Sequence, residues 1–208
     1  MRAAASRWWA LFYGALLVLA LTWPFLVPGE AFALRDMMVF DSMSLTRASL
    51  GWGDLPARNV PQDALLGILP YPVVFLRVFM VSAAAAAAWA GWKLGHTPLG
   101  QAAAMTVAVW NPFVVERLLQ GQWSLAAAAW LLPLVALGVH PMSGLAHWLA
   151  SLTPTGAIAA ACVARSPLTT ALTCAPWVVA GIFAGAGGTS SAVSAEGFAP
   201  RAEGFTGT

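Results

Sequence analysis

The stretch that organises this chain reads WNPFVVERLLQGQW and extends from Trp110 to Trp123. It separates two apolar runs, and it places an adjacent acid–base pair, Glu116 and Arg117, in the most hydrophobic half of the protein. A tryptophan stands at each end, as is typical where a membrane segment meets lipid headgroups. The pattern therefore predicts an interfacial segment over residues 111–123, between two membrane-crossing helices.

The composition of the whole chain indicates the same environment. Hydrophobic residues make up 60% of the 208 residues and charged residues 9%, whereas soluble domains carry about 25% charged residues. The mean hydropathy is +0.75. The apolar blocks have the length of helices that cross a hydrocarbon core of about 30 Å, and no strand-like alternation is evident. We therefore predict an all-α fold, a polytopic transmembrane helical bundle in the cell membrane.

Six apolar runs are candidates for membrane-spanning helices. They cover residues 8–27, 73–92, 99–110, 125–139, 145–163 and 168–183. The fifth run is interrupted by Thr153-Pro154-Thr155-Gly156, so it forms either one span or two half-helices that dip into the membrane and return. The predicted membrane domain, residues 1–183, therefore has five or six spans, and the side on which the chain ends stays open.

Basic residues predict the orientation of the first span. Arg2 and Arg7 precede it, and basic residues stay on the cytoplasmic side, so the N-terminus is expected to be cytoplasmic. A cleavable signal peptide is the alternative, because Ala31-Phe32-Ala33 resembles a cleavage site. The apolar run is longer than the core of a typical signal peptide, which favours an uncleaved helix.

The section after the first span is the longest polar part of the chain. Residues 28–63 contain five acidic residues and three arginines, hence a net charge of −2, and they are predicted to form a compact extracytoplasmic loop. Within it we expect a short helix near residues 42–50, and after it an amphipathic helix over Asp63–Leu69 that lies on the outer surface. Residues 184–208, rich in Gly, Ser and Ala, predict a flexible tail that buries no core.

Two acidic residues of this loop lie closest to the membrane, Asp36 and Asp41. A carboxylate at the outer membrane face can act as general base on a sugar hydroxyl, or hold a divalent cation against a lipid phosphate. Val39 and Phe40 predict some shielding of Asp41. The alternative is structural, because acidic residues in an exposed loop are usually solvated or paired with arginines such as Arg35.

Three further charged residues are candidates for substrate binding. Arg77, near the outer end of the second span, either extends to the headgroups or faces the bundle interior as a phosphate anchor. Glu116 and Arg117 point about 100° apart on a helix, so we expect at least one to reach a partner in another segment. Arg117 suits a phosphate and Glu116 a cation; a structural clamp to the first loop is the alternative.

Other kinds of site are disfavoured. His140 and His147 are seven residues apart, but Pro141 and an intervening glycine disturb the helix that would align them, so no metal site is predicted. Cys162 and Cys174 lie in apolar segments and are interpreted as small buried hydrophobic residues. A net charge of +2 with dispersed arginines argues against nucleic-acid binding.

Several motifs resemble segments of large actinobacterial polytopic membrane proteins, which are related more distantly to the GT-C superfamily of lipid-linked sugar transferases. The motifs are WNPFVVERLLQGQW, RDMMVFD, RNVPQDALL, SLTPTG, APW and FAPRAEGFTGT. The resemblance implies that Asp36 or Asp41 is the catalytic acid of the first extracytoplasmic loop and that the donor is a polyprenyl-phosphate sugar. It also implies that this chain is the N-terminal part of a longer protein, with an external tail.

The predicted function is therefore that of a membrane glycosyltransferase, or its N-terminal part, in envelope glycan assembly. The cofactor stays open, with a divalent cation as one option. The main alternative is a non-catalytic scaffold or partner subunit of a membrane assembly, which the small number of ionisable groups in the spans favours. A transporter is the weaker alternative, because the broken fifth segment has no inverted counterpart.

Overall fold

The computed structural model describes residues 2–50 and 60–185, which form a helical bundle with one small β-hairpin. The elements are α1 (Arg2–Leu26), β1 (Ala31–Leu34), β2 (Met37–Phe40), a 3-10 turn (Ala48–Leu50), α2 (Val60–Ile68), α3 (Pro72–Leu94), α4 (Pro98–Val109), α5 (Pro112–Leu119), α6 (Trp123–Leu137), α7 (Met142–Ala150), α8 (Pro154–Val163) and α9 (Pro167–Gly185). The fold is mostly helical, as predicted.

The hairpin corrects the all-α prediction. Its antiparallel strands pair Ala31 with Phe40 and Leu34 with Met37. The turn between them needs a positive φ, which Arg35 adopts at 52°. In β2 the side chains alternate between buried and exposed, but both faces are apolar. Since the strands are only four residues long and carry no polar alternation, the sequence pattern did not reveal them.

Helix α3 lies at the centre of the bundle, in contact with α1, α4 and α6. Its alanine tract allows this, because Ala83, Ala84 and Ala87 are buried against the neighbouring helices and bring the backbones close together. Close approach is tightest at Gly91, where a Cβ atom would lie 2.8 Å from the backbone of Ala104 in α4. The small residues of α3 thus determine how the bundle packs.

Four helices begin in the same way, with a capping residue followed by proline. The side-chain oxygens of Thr97, Asn111, Thr153 and Ser166 accept hydrogen bonds from the backbone N–H three residues on, at 3.0, 2.9, 3.1 and 3.3 Å. Proline at the first helical position suits a helix start because its missing N–H needs no partner there. These signals start α4, α5, α8 and α9, so Pro112 begins a helix as well as ending the third apolar run.

The break between α4 and α5 leaves a carbonyl group of α4 without a helical partner. Trp130 of α6, which is fully buried, donates its Nε1–H to the Val109 carbonyl oxygen at 2.9 Å. A buried carbonyl without a partner would be costly. This hydrogen bond therefore allows the chain to turn into α5 inside the bundle.

The fifth apolar run forms two helices, α7 and α8, joined by a turn at residues 151–153. The Ser151 carbonyl in this turn accepts a hydrogen bond from Trp177 at 2.8 Å. Trp177 lies ten residues, about 15 Å, beyond the start of α9. Arg165, which follows α8, lies beside Gly138, which follows α6, so α8 ends close to the end of α6. The turn between α7 and α8 therefore lies about halfway along α9, and the other ends of α7 and α8 both lie near the end of α6.

In the described part of the chain, three segments are long and apolar enough to cross a membrane: Trp8–Leu26, Pro72–Leu94 and Pro98–Leu119. The last comprises α4 and α5 together, so the predicted interfacial segment contributes to it. Large apolar side chains cover the bundle surface, including Phe12 and Leu99, which are 74% and 81% exposed. Such a surface is suited to lipid, and it supports contact with a bilayer.

Two local predictions are corrected. Of the helix expected near residues 42–50, only the 3-10 turn at Ala48–Leu50 is present. Trp123, expected to lie at the headgroups, is 3% exposed and packs edge-on against Phe79 inside the bundle, with ring centroids 6.0 Å apart. The amphipathic helix expected at Asp63 is present as α2, and most of the predicted tail lies outside the described residues.

Candidate functional site

The candidate site lies where the hairpin turn meets the connection between α5 and α6. Gln122 joins the two parts, because its Nε2 donates to the Asp36 carboxylate at 2.9 Å and its Oε1 accepts from Arg117 Nη1 at 2.6 Å. Arg117 Nη2 in turn lies 2.7 Å from Glu116 Oε1. We refer to these four residues, Asp36, Glu116, Arg117 and Gln122, as the polar clamp.

The backbone supports the polar clamp at the same point. The Asp36 N–H donates to the Gln120 carbonyl oxygen at 3.2 Å. Gly121 follows with φ at +77°, and its Cα faces the hairpin turn so closely that a Cβ atom would overlap the Leu34 carbonyl and lie 2.6 Å from the Met37 nitrogen. Only glycine fits this position, both for its backbone conformation and for the space available.

Glu116 and Arg117 pair with each other, which corrects the expectation drawn from their helical angle. The 100° separation describes their Cβ directions, and both side chains are long enough to turn back along the helix. Their side chains are 56% and 22% exposed, so the ion pair itself contributes less than about 1 kcal/mol. The hydrogen-bond partners of both side chains among the described residues lie within the 111–123 stretch, so Arg117 is linked to the hairpin only indirectly, through Gln122.

Arg117 is held in place by contacts within its own stretch. Its two terminal nitrogens each donate one hydrogen bond, to Glu116 and to Gln122, and its guanidinium carbon lies 5.4 Å from the centroid of the Phe113 ring. The Nε atom is buried, with no acceptor among the described residues. The contacts that are formed favour the structural clamp.

Arg77 binds the end of α1. Its Nη1 donates to the carbonyl oxygens of Phe25, at 2.8 Å, and Val27, and its Nη2 donates to that of Gly29 at 2.8 Å. The last carbonyl groups of a helix have no partners within it and carry partial negative charge. Arg77 also lies over the Phe32 ring, 4.9 Å from its centroid, so one side chain joins α3, α1 and the hairpin.

The hairpin separates the two catalytic candidates. Asp36 lies in its turn, whereas Asp41 follows the far end of β2, so about 16 Å of extended chain separates them. Asp41 is exposed, and the expected shielding is absent because the preceding Phe40 points outward. Asp41 makes no side-chain hydrogen bond with any described residue. The structure therefore brings Asp36 to Glu116 and Arg117, and leaves Asp41 and Arg77 in separate places.

Other ionisable residues do not extend the candidate site. In residues 2–50 and 60–185 no group of three or more His, Cys, Asp or Glu side chains is placed to hold a metal ion. His147 is buried and its Nε2 lies 3.1 Å from the Thr173 hydroxyl, while His140 is exposed. Burial raises the pKa of the Asp63 carboxyl in α2 above its usual value, and a Gln62 hydrogen bond lowers it less.

Two residues of this region had no role in the sequence prediction. Gln122 is the bridge, and Gly121 allows the close backbone approach. The available signal was the glycine between two glutamines just before an apolar helix, since such a glycine commonly marks a backbone turn with positive φ. Nothing in the local sequence indicated that this turn would meet the hairpin.

Comparison of the chain with protein-family models, with curated proteins and with solved structures gives no match. The resemblance to GT-C transferases therefore stays a prediction.

Proposed function

We propose that this protein is a non-catalytic membrane subunit that presents its β-hairpin to a partner membrane protein. The observation that carries the proposal is the outward face of the hairpin. Met38 and Phe40 are 55% and 42% exposed, next to each other on one face of β2, while Met37 and Val39 on the other face are buried in the bundle. A sheet with two apolar faces, one of them uncovered, is suited to a protein contact.

The surrounding polar residues support this role. The polar clamp holds the hairpin turn onto the α5–α6 connection, and Arg77 holds its base onto α1 and α3. These residues form hydrogen bonds that join separate parts of the chain, and so they fix the position of the hairpin. A rigidly held apolar surface favours association because less conformational freedom is lost on binding.

A purification experiment tests the proposal. We expect the full chain, extracted in mild detergent from its native membrane, to migrate as a stoichiometric complex with a second membrane protein. Met38→Glu and Phe40→Glu should each release the partner, because a carboxylate in the apolar contact is desolvated without a counter-ion. The measurement is the mass of the complex by size-exclusion chromatography with light scattering.

Asp41→Asn is the matched control, since it alters the neighbouring polar position and leaves the apolar face intact. The complex should persist in this variant. A wild-type protein that is monomeric in mild detergent would contradict the proposal. Loss of a sugar-transfer activity in Asp41→Asn, with the complex intact, would favour the transferase, for which Asp41 and Asp36 are the candidate bases.

We also propose a topology of five crossings, made by α1, by α3, by α4 together with α5, by α6 and by α9. It is supported by the return of α8 to the end of α6, which makes α7 and α8 a re-entrant pair, and by hydrogen bonds that shield the turn between them. The Ser151 carbonyl is bonded to Trp177, and Thr153 caps α8. Non-helical backbone at membrane depth needs such shielding. Five crossings place the N-terminus and the tail on opposite sides.

Cysteine labelling in intact cells tests this topology. After replacement of Cys162 and Cys174 by alanine, a single cysteine at Thr208 should react with a membrane-impermeant maleimide, and one at Ser6 should react only after the membrane is permeabilised. A cysteine at Ser166, next to Arg165, should behave like the one at Ser6. Equal protection of the two termini would instead indicate six crossings.

A further inference from the structure

An apolar groove runs along α1 and α3 in the half of the bundle that lies away from the hairpin. Its volume is about 560 Å³, within the range of roughly 300–1,000 Å³ that small-molecule sites have. Small residues form its floor, among them Gly14 and Ala88, and Leu11 and Leu19 form an outer wall with 62% and 51% exposure. Along its length the groove offers a ligand almost no hydrogen-bonding group.

Lys93 lies beside two tryptophans that line the groove. Trp89 and Trp92 line its end, and the Lys93 ammonium lies 5.6 and 4.9 Å from the centroids of their rings. A lysine over two tryptophans is typical of the level where hydrocarbon gives way to headgroups. Within the described residues Lys93 forms no ion pair, since the pair found there joins Arg117 to Glu116.

The distribution of charged residues along the bundle also favours binding of an anion at the Lys93 end. In residues 2–50 and 60–185 all acidic side chains belong to segments at the hairpin end: Glu30, Asp36, Asp41, Asp63 and Glu116. At the opposite end the described residues include Lys93 and Arg165 and no carboxylate. A phosphate at that end is therefore attracted by these fixed charges, and no carboxylate of the described residues repels it.

We propose that this groove binds one acyl chain of an anionic phospholipid, with the lipid phosphate on the Lys93 ammonium. The apolar lining fits the chain, and the cation at the tryptophan end fits the headgroup. A neutral zwitterionic lipid has the same acyl chain, but its headgroup carries a positive charge next to the phosphate. Its electrostatic attraction to Lys93 is therefore weaker. This inference rests on the membrane location of the bundle and is independent of the hairpin's partner.

Native mass spectrometry of the full chain, in detergent supplied with equal amounts of phosphatidylglycerol and phosphatidylcholine, tests the proposal. We expect the wild type to retain one phosphatidylglycerol in preference. Lys93→Gln should lower the ratio of the two bound lipids about fivefold, as one basic group near a membrane surface is worth about 1 kcal/mol. Ala85→Trp, which fills the groove from an exposed position in its lining, should remove the retained lipid.

Matched controls separate these effects from general ones. Arg165→Gln removes a cation at the same end away from the groove, and Ala103→Trp adds an indole at an exposed site of α4 outside it; neither should change lipid retention. Equal retention of both lipids by the wild type would overturn the proposal. So would a Lys93→Gln variant that loses thermal stability with an unchanged lipid ratio, or a dimer that Ala85→Trp dissociates, which would make a second copy the occupant.

Discussion

Gly121→Ala is expected to detach the hairpin from the bundle and to lower the free energy of unfolding by about 3 kcal/mol. About 1–2 kcal/mol of this is the cost of an L-residue in the left-handed conformation that Gly121 adopts. The remainder comes from the Cβ atom, which would overlap the Leu34 carbonyl and approach the Met37 nitrogen. Because backbone atoms oppose it, the hairpin turn has to move.

That displacement has its own signature. It should break the hydrogen bond from the Asp36 N–H to the Gln120 carbonyl, so hydrogen exchange across residues 31–40 should accelerate while exchange in α3 stays slow. Unfolding in mild detergent gives the free energy, and mass-spectrometric hydrogen exchange locates the change.

Gly138→Ala is the matched control. Gly138 also has a positive φ, +68°, but its Cβ would meet the flexible Arg165 side chain rather than backbone. This variant should show the conformational cost alone, with no faster exchange in the hairpin. Equal losses of stability in the two variants, with the hairpin equally protected in both, would mean that the close approach at Gly121 does not hold the turn.

Short sequence patterns determine several features of this fold. Helix positions followed from apolar runs of sufficient length. The sequence left open whether the fifth apolar run forms one helix or two. It forms two, because Thr153 and Pro154 start a new helix, α8. The capping pattern also occurs at Thr97, so it is a local signal that the sequence interpretation did not use.

The candidate site depended on contacts that no local pattern encodes. That Asp36 and Arg117 belong to one polar region followed from the predicted topology, which places both on one side of the membrane. That Gln122 joins them depends on the register of a hairpin whose strands carry no polar alternation. The roles of Arg77 and Asp41 were open for the same reason. Arg77 binds backbone carbonyl groups that are distant in the sequence, and the Asp41 side chain has no hydrogen-bond partner among the described residues.

Arg77→Met is the second change with a large expected effect, a loss of about 3 kcal/mol in the free energy of unfolding. Hydrogen bonds to charged groups are worth about 1.5–3 kcal/mol each, and three carbonyl groups accept from Arg77, although water near the bundle end replaces part of this. Methionine keeps most of the apolar stem beside Phe32 and removes the guanidinium, so the loss reports on the hydrogen bonds. Hydrogen exchange should rise at the end of α1 and in β1.

Arg47→Met is the control for removal of one positive charge on the same side of the bundle. Arg47 is exposed and its side chain makes no hydrogen bond with the described residues, so the change in stability should stay within about 0.5 kcal/mol. Arg77→Lys should recover part of the loss, because an ammonium can reach some of the carbonyl groups. If Arg77→Met keeps wild-type stability but loses binding of a polyprenyl phosphate, then Arg77 anchors a substrate, and the carbonyl contacts with α1 are incidental to its role.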